Sequence, residues 1–81
     1  MNTIRNNHFS LLIKINGRQH EFNFRERTAN LFDGDTSDER SNRFYFKIVF
    51  EEGQWKLNGK DIPRWIVDNE SEIINALRQG I

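Results

Sequence analysis

The first stretch of alternating hydrophobic and polar residues runs from Phe9 to Ile15 and is followed directly by Asn16-Gly17. Asn-Gly tolerates the positive φ angles of a two-residue hairpin turn, so this pair predicts a β-hairpin. A two-residue loop places Ile15 opposite Arg18 and fixes the register of both strands. One face of the hairpin then collects hydrophobic side chains, namely Phe9, Leu11, Ile13, Ile15, Phe22 and Phe24, with His20 beside them.

A second hairpin is predicted from the same kind of alternation. The segment 43–51 places aromatic and aliphatic residues at every second position, and Glu52-Gly53 follows it as a turn. That turn sets Phe50 against Trp55, and aromatic cross-strand pairs stabilise a sheet. A second Asn-Gly, at 58–59, ends the strand, or alternatively begins a very short extra strand over 60–62.

The C-terminal segment has the signals of a helix. Asn69 is a favourable N-cap, and Glu72 stands three residues later, as in a capping box. Gly80 is placed to end this helix, and its apolar stripe consists of Ile73, Ile74 and Leu77. The segment 63–66 predicts one earlier helical turn, with a break near Asp68.

These elements predict an α+β fold, in which two β-hairpins form a four-stranded antiparallel sheet with the C-terminal helix on one face (ββββα). With 81 residues, there is room for one small domain. We expect a single domain over 8–81, a flexible N-terminal tail over 1–7 and a long loop over 26–42. Within that loop, Leu31 and Phe32 are expected to anchor the chain to the core edge, the alternative being an exposed partner-binding tip.

Composition excludes several classes of protein. The 12 basic and 12 acidic residues give a net charge of zero, and cysteine is absent. A disulfide scaffold and a thiolate zinc site are therefore excluded. A dedicated nucleic-acid or membrane-surface binder usually carries an excess of basic residues. Since no segment reaches the ~20 apolar residues of a membrane span, we expect a cytoplasmic protein.

The chemistry-bearing residues form no recognisable catalytic or metal site. The segment 33–38 places oxygen ligands at alternating positions like a calcium loop, but Asp38 stands where such loops need glycine and Phe44 where they need glutamate. His8 and His20 fall at opposite ends of the first hairpin and so cannot share a site. No nucleophile elbow or phosphate-binding loop is present. We expect no enzyme activity, no catalytic residue, no cofactor and no metal.

The solvent face of the predicted sheet is the candidate binding surface. It combines one aromatic ring with cations, at Lys14, Arg43, Tyr45, Lys47 and Lys56. Arg25, Arg27 and Arg40 are expected to extend it. Exposed Leu12, Tyr45 and Val49 favour a non-enzymatic interaction module that binds a protein partner or itself as a homodimer. The alternative is weak single-stranded nucleic-acid binding by base stacking and phosphate contact.

Segments 37–43, 44–47, 55–59 and 62–66 together resemble small uncharacterised bacterial proteins of unknown function. That resemblance covers about the middle third of the chain and implies a bacterial cytosolic domain, with no catalytic residues to carry over. The predicted order of four strands and a helix also resembles the half-units of whirly-type and Pur-type single-strand nucleic-acid binders. The second resemblance rests on fold order alone.

Overall fold

The structure, a computed structural model, describes residues 8–80, which form a five-stranded antiparallel sheet followed by two helices. The elements are β1 (His8–Ile15), β2 (Arg18–Thr28), β3 (Leu31–Ser37), β4 (Arg43–Glu51), β5 (Gln54–Asn58), α1 (Arg64–Val67) and α2 (Glu70–Gly80). The strand order is β1-β2-β3-β4-β5, so every strand pairs with its neighbours in sequence. The α+β class is therefore confirmed. The predicted tail over 1–7 and the terminal Ile81 lie outside the described residues.

Both predicted hairpins form in the predicted register. Ile15 pairs with Arg18, and the φ angles of 53° and 82° at Asn16 and Gly17 provide the tight turn between them. In the second hairpin Phe50 pairs with Trp55. There the turn uses φ angles of 53° at Glu52 and 80° at Gly53. Because each loop has two residues, turn geometry and hydrophobic alternation select the same pairing.

The prediction of four strands and a long loop over 26–42 is wrong, because most of that segment is strand. β2 continues to Thr28, a turn at Ala29-Asn30 reverses the chain, and β3 pairs with both β2 and β4. The inner face of β3 carries Phe32, Gly34 and Thr36, all buried. Since glycine and threonine occupy two of its three core positions, the segment lacks the hydrophobic alternation by which strands are identified. The remaining loop spans only 38–42.

The C-terminal segment forms two helices separated by the predicted break. Pro63 precedes α1, and the carbonyl of Asn69 accepts the first hydrogen bond of α2 from the Ile73 N–H. The Asn69 side chain donates to the Trp65 carbonyl at 2.7 Å, which satisfies an acceptor at the end of α1. The alternative extra strand over 60–62 is not formed, because the chain turns there, with a φ angle of 57° at Asp61.

One core lies between the helices and the inner face of the sheet. Its buried hydrophobic members are Ile13, Ile15, Phe22, Phe24, Phe32, Phe46, Ile48, Ile66, Ile73, Ile74 and Leu77. The helices therefore cover one face of the sheet and leave the opposite face open, which we call the outer face. Among residues 8–80, no helix has the length and apolar character that crossing a membrane requires.

Candidate binding surface on the outer face of the sheet

The centre of the outer face is a chain of hydrogen bonds across β1, β2, β3 and β4. Ser10 Oγ donates to Asn23 Oδ1 at 2.6 Å, and Asn23 Nδ2 donates to Asp35 Oδ1 at 2.8 Å. From the other side, Arg43 Nη1 donates to the same Asp35 oxygen at 2.7 Å. The register aligns Ser10, Asn23 and Asp35 in one row, whereas Arg43, which pairs with Ser37, reaches Asp35 diagonally. Asp35 on β3 is therefore held by hydrogen bonds from both neighbouring strands.

A second carboxylate, Asp33, lies two residues before Asp35 on β3 and contacts cations from both neighbouring strands. Arg27 Nε donates to Asp33 Oδ2, and Lys47 Nζ lies 3.7 Å from Asp33 Oδ1. All three side chains are partly exposed, so each ion pair contributes only about 0.2–1 kcal/mol to stability. The main effect of Asp33 is to hold Arg27 of β2 and Lys47 of β4 close to β3, the middle strand of the sheet.

Most of these residues, but not Ser10 or Arg43, line a groove of about 690 Å³ on the outer face. Four cationic side chains and two carboxylates line it, which gives a local charge of +2 with His8 neutral. Its charged residues are Arg25, Arg27, Lys47 and Lys60 together with Asp33 and Asp35. Tyr45 also lines the groove and is 66% exposed. The groove thus combines an accessible aromatic ring with a local excess of positive charge on a chain of zero net charge.

The structure brings only part of the predicted surface together. Arg43, Tyr45 and Lys47 follow one another on the outer side of β4, as predicted. Lys56 lies on β5 opposite Val49, and its Nζ is 3.8 Å from Glu52 Oε1 and 4.0 Å from Glu51 Oε1. Lys14 is exposed on β1 at the far edge of the sheet and does not line the groove. The predicted set is therefore one central group with two outlying lysines.

Of the three arginines expected to extend this surface, two lie in the groove. Arg25 and Arg27 line it from β2, whereas Arg40 lines a separate cavity of about 520 Å³ beside His20 and Trp65. Sequence reasoning missed Asp33 and Asp35 as members of the surface, because the segment containing them was assigned to a loop. No alternation identifies them in the sequence, because Gly34 and Thr36 stand at the core positions between Asp33, Asp35 and Ser37.

The two histidines lie in different surroundings. His8 borders the groove at the start of β1. His20 is half-buried, and its ring packs on Trp65 with a centroid separation of 4.7 Å. Within residues 8–80, no group of three His, Asp or Glu side chains is arranged to hold a metal ion.

The chain was compared with protein-family models, with curated proteins and with solved structures, and none of the three comparisons gave a match.

Proposed function

We propose that this chain is a small non-enzymatic binding module that holds an acidic, extended segment of a protein partner on the outer face of its sheet. The observation that carries the proposal is the groove of about 690 Å³ on the face opposite the helices, with four cations against two carboxylates. Charge complementarity of this kind accelerates encounter and selects partners. Groups that discriminate between partners are better placed on a rigid sheet than on a loop.

Two of the groove cations are available to a partner. Arg27 and Lys47 already contact Asp33, while within residues 8–80 neither Arg25 nor Lys60 forms an ion pair. Arg25 presents a planar fork that matches a carboxylate in a bidentate manner. A partner with spaced carboxylates would thus meet Arg25 and Lys60 at the groove margins. Tyr45 lies in the row next to the one that joins Arg25, Asp33 and Lys47. The fixed Asp33 and Asp35 would reject a uniformly anionic partner.

A second candidate function is single-stranded nucleic-acid binding, which the setting of Tyr45 favours. Tyr45 is 66% exposed, and Arg43 and Lys47 flank it on the same side of β4. Stacking of a base on such a ring contributes roughly 1–3 kcal/mol. The two aspartates beside it oppose phosphate binding, which is why the protein partner is the leading proposal.

The test uses two labelled probes, a peptide of alternating glutamate and apolar residues and an oligothymidine, followed by fluorescence anisotropy. We expect the peptide to bind, and Arg25→Glu to weaken that binding roughly tenfold or more, as loss of a charged contact does. Lys14→Glu is the matched control, since it reverses an exposed cation of the same face outside the groove. Circular dichroism verifies that both variants fold.

The outcomes separate the two candidates. Peptide binding that responds to Arg25→Glu and not to Lys14→Glu supports the leading proposal. Oligothymidine binding that falls steeply between about 50 and 200 mM salt and is lost in Tyr45→Ala favours the second candidate. Absence of binding to either probe contradicts both.

A further inference from the structure

The two edges of the sheet differ in how far the rest of the described chain covers their backbone groups. At one edge, the Leu57 N–H of β5 donates to Glu70 Oε2 of α2 at 2.8 Å. The β5 strand is also short, with five residues. Short strands and covered donors are the devices by which proteins prevent pairing at a sheet edge. The β5 edge is therefore closed by the first turn of α2.

Turn geometry shows which groups point outward at each edge. In a two-residue hairpin, the residues that flank the turn exchange both backbone hydrogen bonds, and the pattern alternates from there. Counting from Gln54, the Leu57 N–H points away from β4, in agreement with its bond to Glu70. Counting from Ile15, the N–H and C=O groups of Ser10, Leu12 and Lys14 point away from β2.

The β1 edge has none of the protection seen at β5. It is eight residues long, pairs with β2 without a register shift, and contains no proline. Within residues 8–80, no strand pairs with its outer side. Leu12 of this strand is 66% exposed on the outer face, and Phe9 and Leu11 are only half-buried on the inner face. A long, regular edge with apolar side chains on both faces is a template for another strand.

We propose that β1 pairs in antiparallel fashion with β1 of a second copy of this chain, around a two-fold axis at Leu12, to form a continuous ten-stranded sheet. Such an interface is isologous, so each contact occurs twice. On the outer face, Leu12 meets Leu12 of the second copy. On the inner face, Leu11 comes opposite Ile13, and Phe9 opposite Ile15, so the half-buried apolar rim is covered.

Charge selects this register over its neighbour. With Leu12 on the axis, Lys14 comes opposite Ser10, whose hydroxyl is hydrogen-bonded to Asn23 in the row that leads to Asp35. Within residues 8–80, Lys14 forms no ion pair, so it is free to donate to that row. A shift by two residues would instead place Lys14 opposite the neutral His8, which pairs with Arg25, and would bring the Lys14 and Arg25 cations within two strands of each other. The two-fold axis is perpendicular to the sheet, so both grooves open on the same side of the dimer. The pairing does not depend on the function proposed above.

The test measures the oligomeric state of the full chain by light scattering and sedimentation over a concentration series. We expect the mass of the unaltered chain to rise from 9.7 kDa toward twice that value. Leu12→Lys would place two ammonium groups against each other and is expected to raise the dimer dissociation constant roughly tenfold or more. Tyr45→Lys is the matched control, because Tyr45 has the same 66% exposure on the same face, and it should leave the dimer unchanged.

Cysteine cross-linking tests the register, since the chain has no cysteine of its own. In Leu12→Cys the two thiols lie on neighbouring strands, and a short thiol cross-linker should join them. In Tyr45→Cys they are separated by seven strand spacings, about 33 Å, and should not be joined. A monomer at every concentration overturns the proposal. So does a dimer that tolerates Leu12→Lys or is cross-linked through position 45.

Discussion

The ring of Phe46 lies directly across Gly34, its cross-strand neighbour on the inner face of the sheet. A β-carbon added at Gly34 would come 2.8 Å from Phe46 Cζ, which is far inside van der Waals contact. The same glycine pairs with Phe24 on its other side. Because position 34 has no side chain, the rings of Phe24 and Phe46 meet over it, with centroids 6.3 Å apart and planes at 72°.

Gly34→Ala is therefore expected to destabilise the fold by overpacking. Forcing a methyl group into a filled core costs about 1–3 kcal/mol. Phe46→Leu removes the ring that the methyl group meets, so Gly34→Ala should cost less in that background, with a coupling energy of about 1 kcal/mol. Urea denaturation, monitored by tryptophan fluorescence, measures the free energy of unfolding of the unaltered chain, the two single variants and the double variant.

Gly17→Ala is the control for this cycle. Gly17 has a φ angle of 82° and nothing within 4 Å of an added β-carbon, so its substitution costs backbone energy alone, about 1–2 kcal/mol. Phe46→Leu should leave that cost unchanged. Strict additivity of Gly34→Ala and Phe46→Leu would show that ring contact is not the cause.

The empty position at Gly34 also explains which strands could be predicted from the sequence and which could not. The hairpins around Asn16-Gly17 and Glu52-Gly53 were predictable to the residue, because turn type and hydrophobic alternation agree there. β3 was not, because its core positions at 34 and 36 are filled by a neighbour's ring and by a buried threonine. Thr36 Oγ1 donates to the Glu21 carbonyl at 2.8 Å, a tertiary contact that local sequence does not reveal.

The candidate surface was likewise predictable only in part: its residues on β4 could be assigned from the sequence, and those on β3 could not. Tyr45 and Lys47 could be assigned to the outer face from alternation along β4, without knowledge of the neighbouring strand. Asp33 and Asp35 could not be assigned to it, since their positions depend on β3 lying between β2 and β4. The charge of the groove is therefore a consequence of strand order, which the sequence pattern leaves open.

Glu70→Ala is expected to expose the β5 edge. The Leu57 N–H would lose its partner, at a cost of about 1–2 kcal/mol for a half-buried donor, and hydrogen exchange at Leu57 should accelerate. Glu72→Ala is the control, because Glu72 lies in the same helical turn but is exposed; it should cost only the helix-dipole interaction, about 0.3–1 kcal/mol. Equal exchange at Leu57 in the two variants would contradict this role of Glu70.

Trp65 is expected to fix α1 to the sheet. Its ring contacts His20 at a centroid separation of 4.7 Å, and Phe22 and Phe44 at 6.4 Å each. Trp65→Ala should lower the free energy of unfolding by about 3 kcal/mol, the lower end for this substitution because the ring is only half-buried. Val67→Ala, in the same helix at a 48% exposed position, should change it by less than about 0.5 kcal/mol. Thermal and urea unfolding, followed by circular dichroism, measure both.

The pKa of Asp38 is lowered from its ordinary value of 3.8, chiefly by the Asn42 side chain and then by the Asn42 backbone N–H. The Asp38 carboxylate accepts from Asn42 Nδ2 at 3.0 Å and from the Asn42 and Arg40 backbone N–H groups at 2.9 Å each. Since these bonds favour the charged form, their stabilising effect is present above pH 3.8 and is lost as the pH falls through the lowered pKa.

Titration of the Asp38 carboxyl carbon by NMR measures this effect directly. Asn42→Ala removes the largest cause and should raise the pKa toward 3.8. Arg40→Gln keeps the backbone bond and removes only the smallest cause, the charge of the guanidinium, so it should raise the pKa less. If the order of the two variants were reversed, long-range charge rather than the hydrogen bonds of the 38–42 loop would control Asp38.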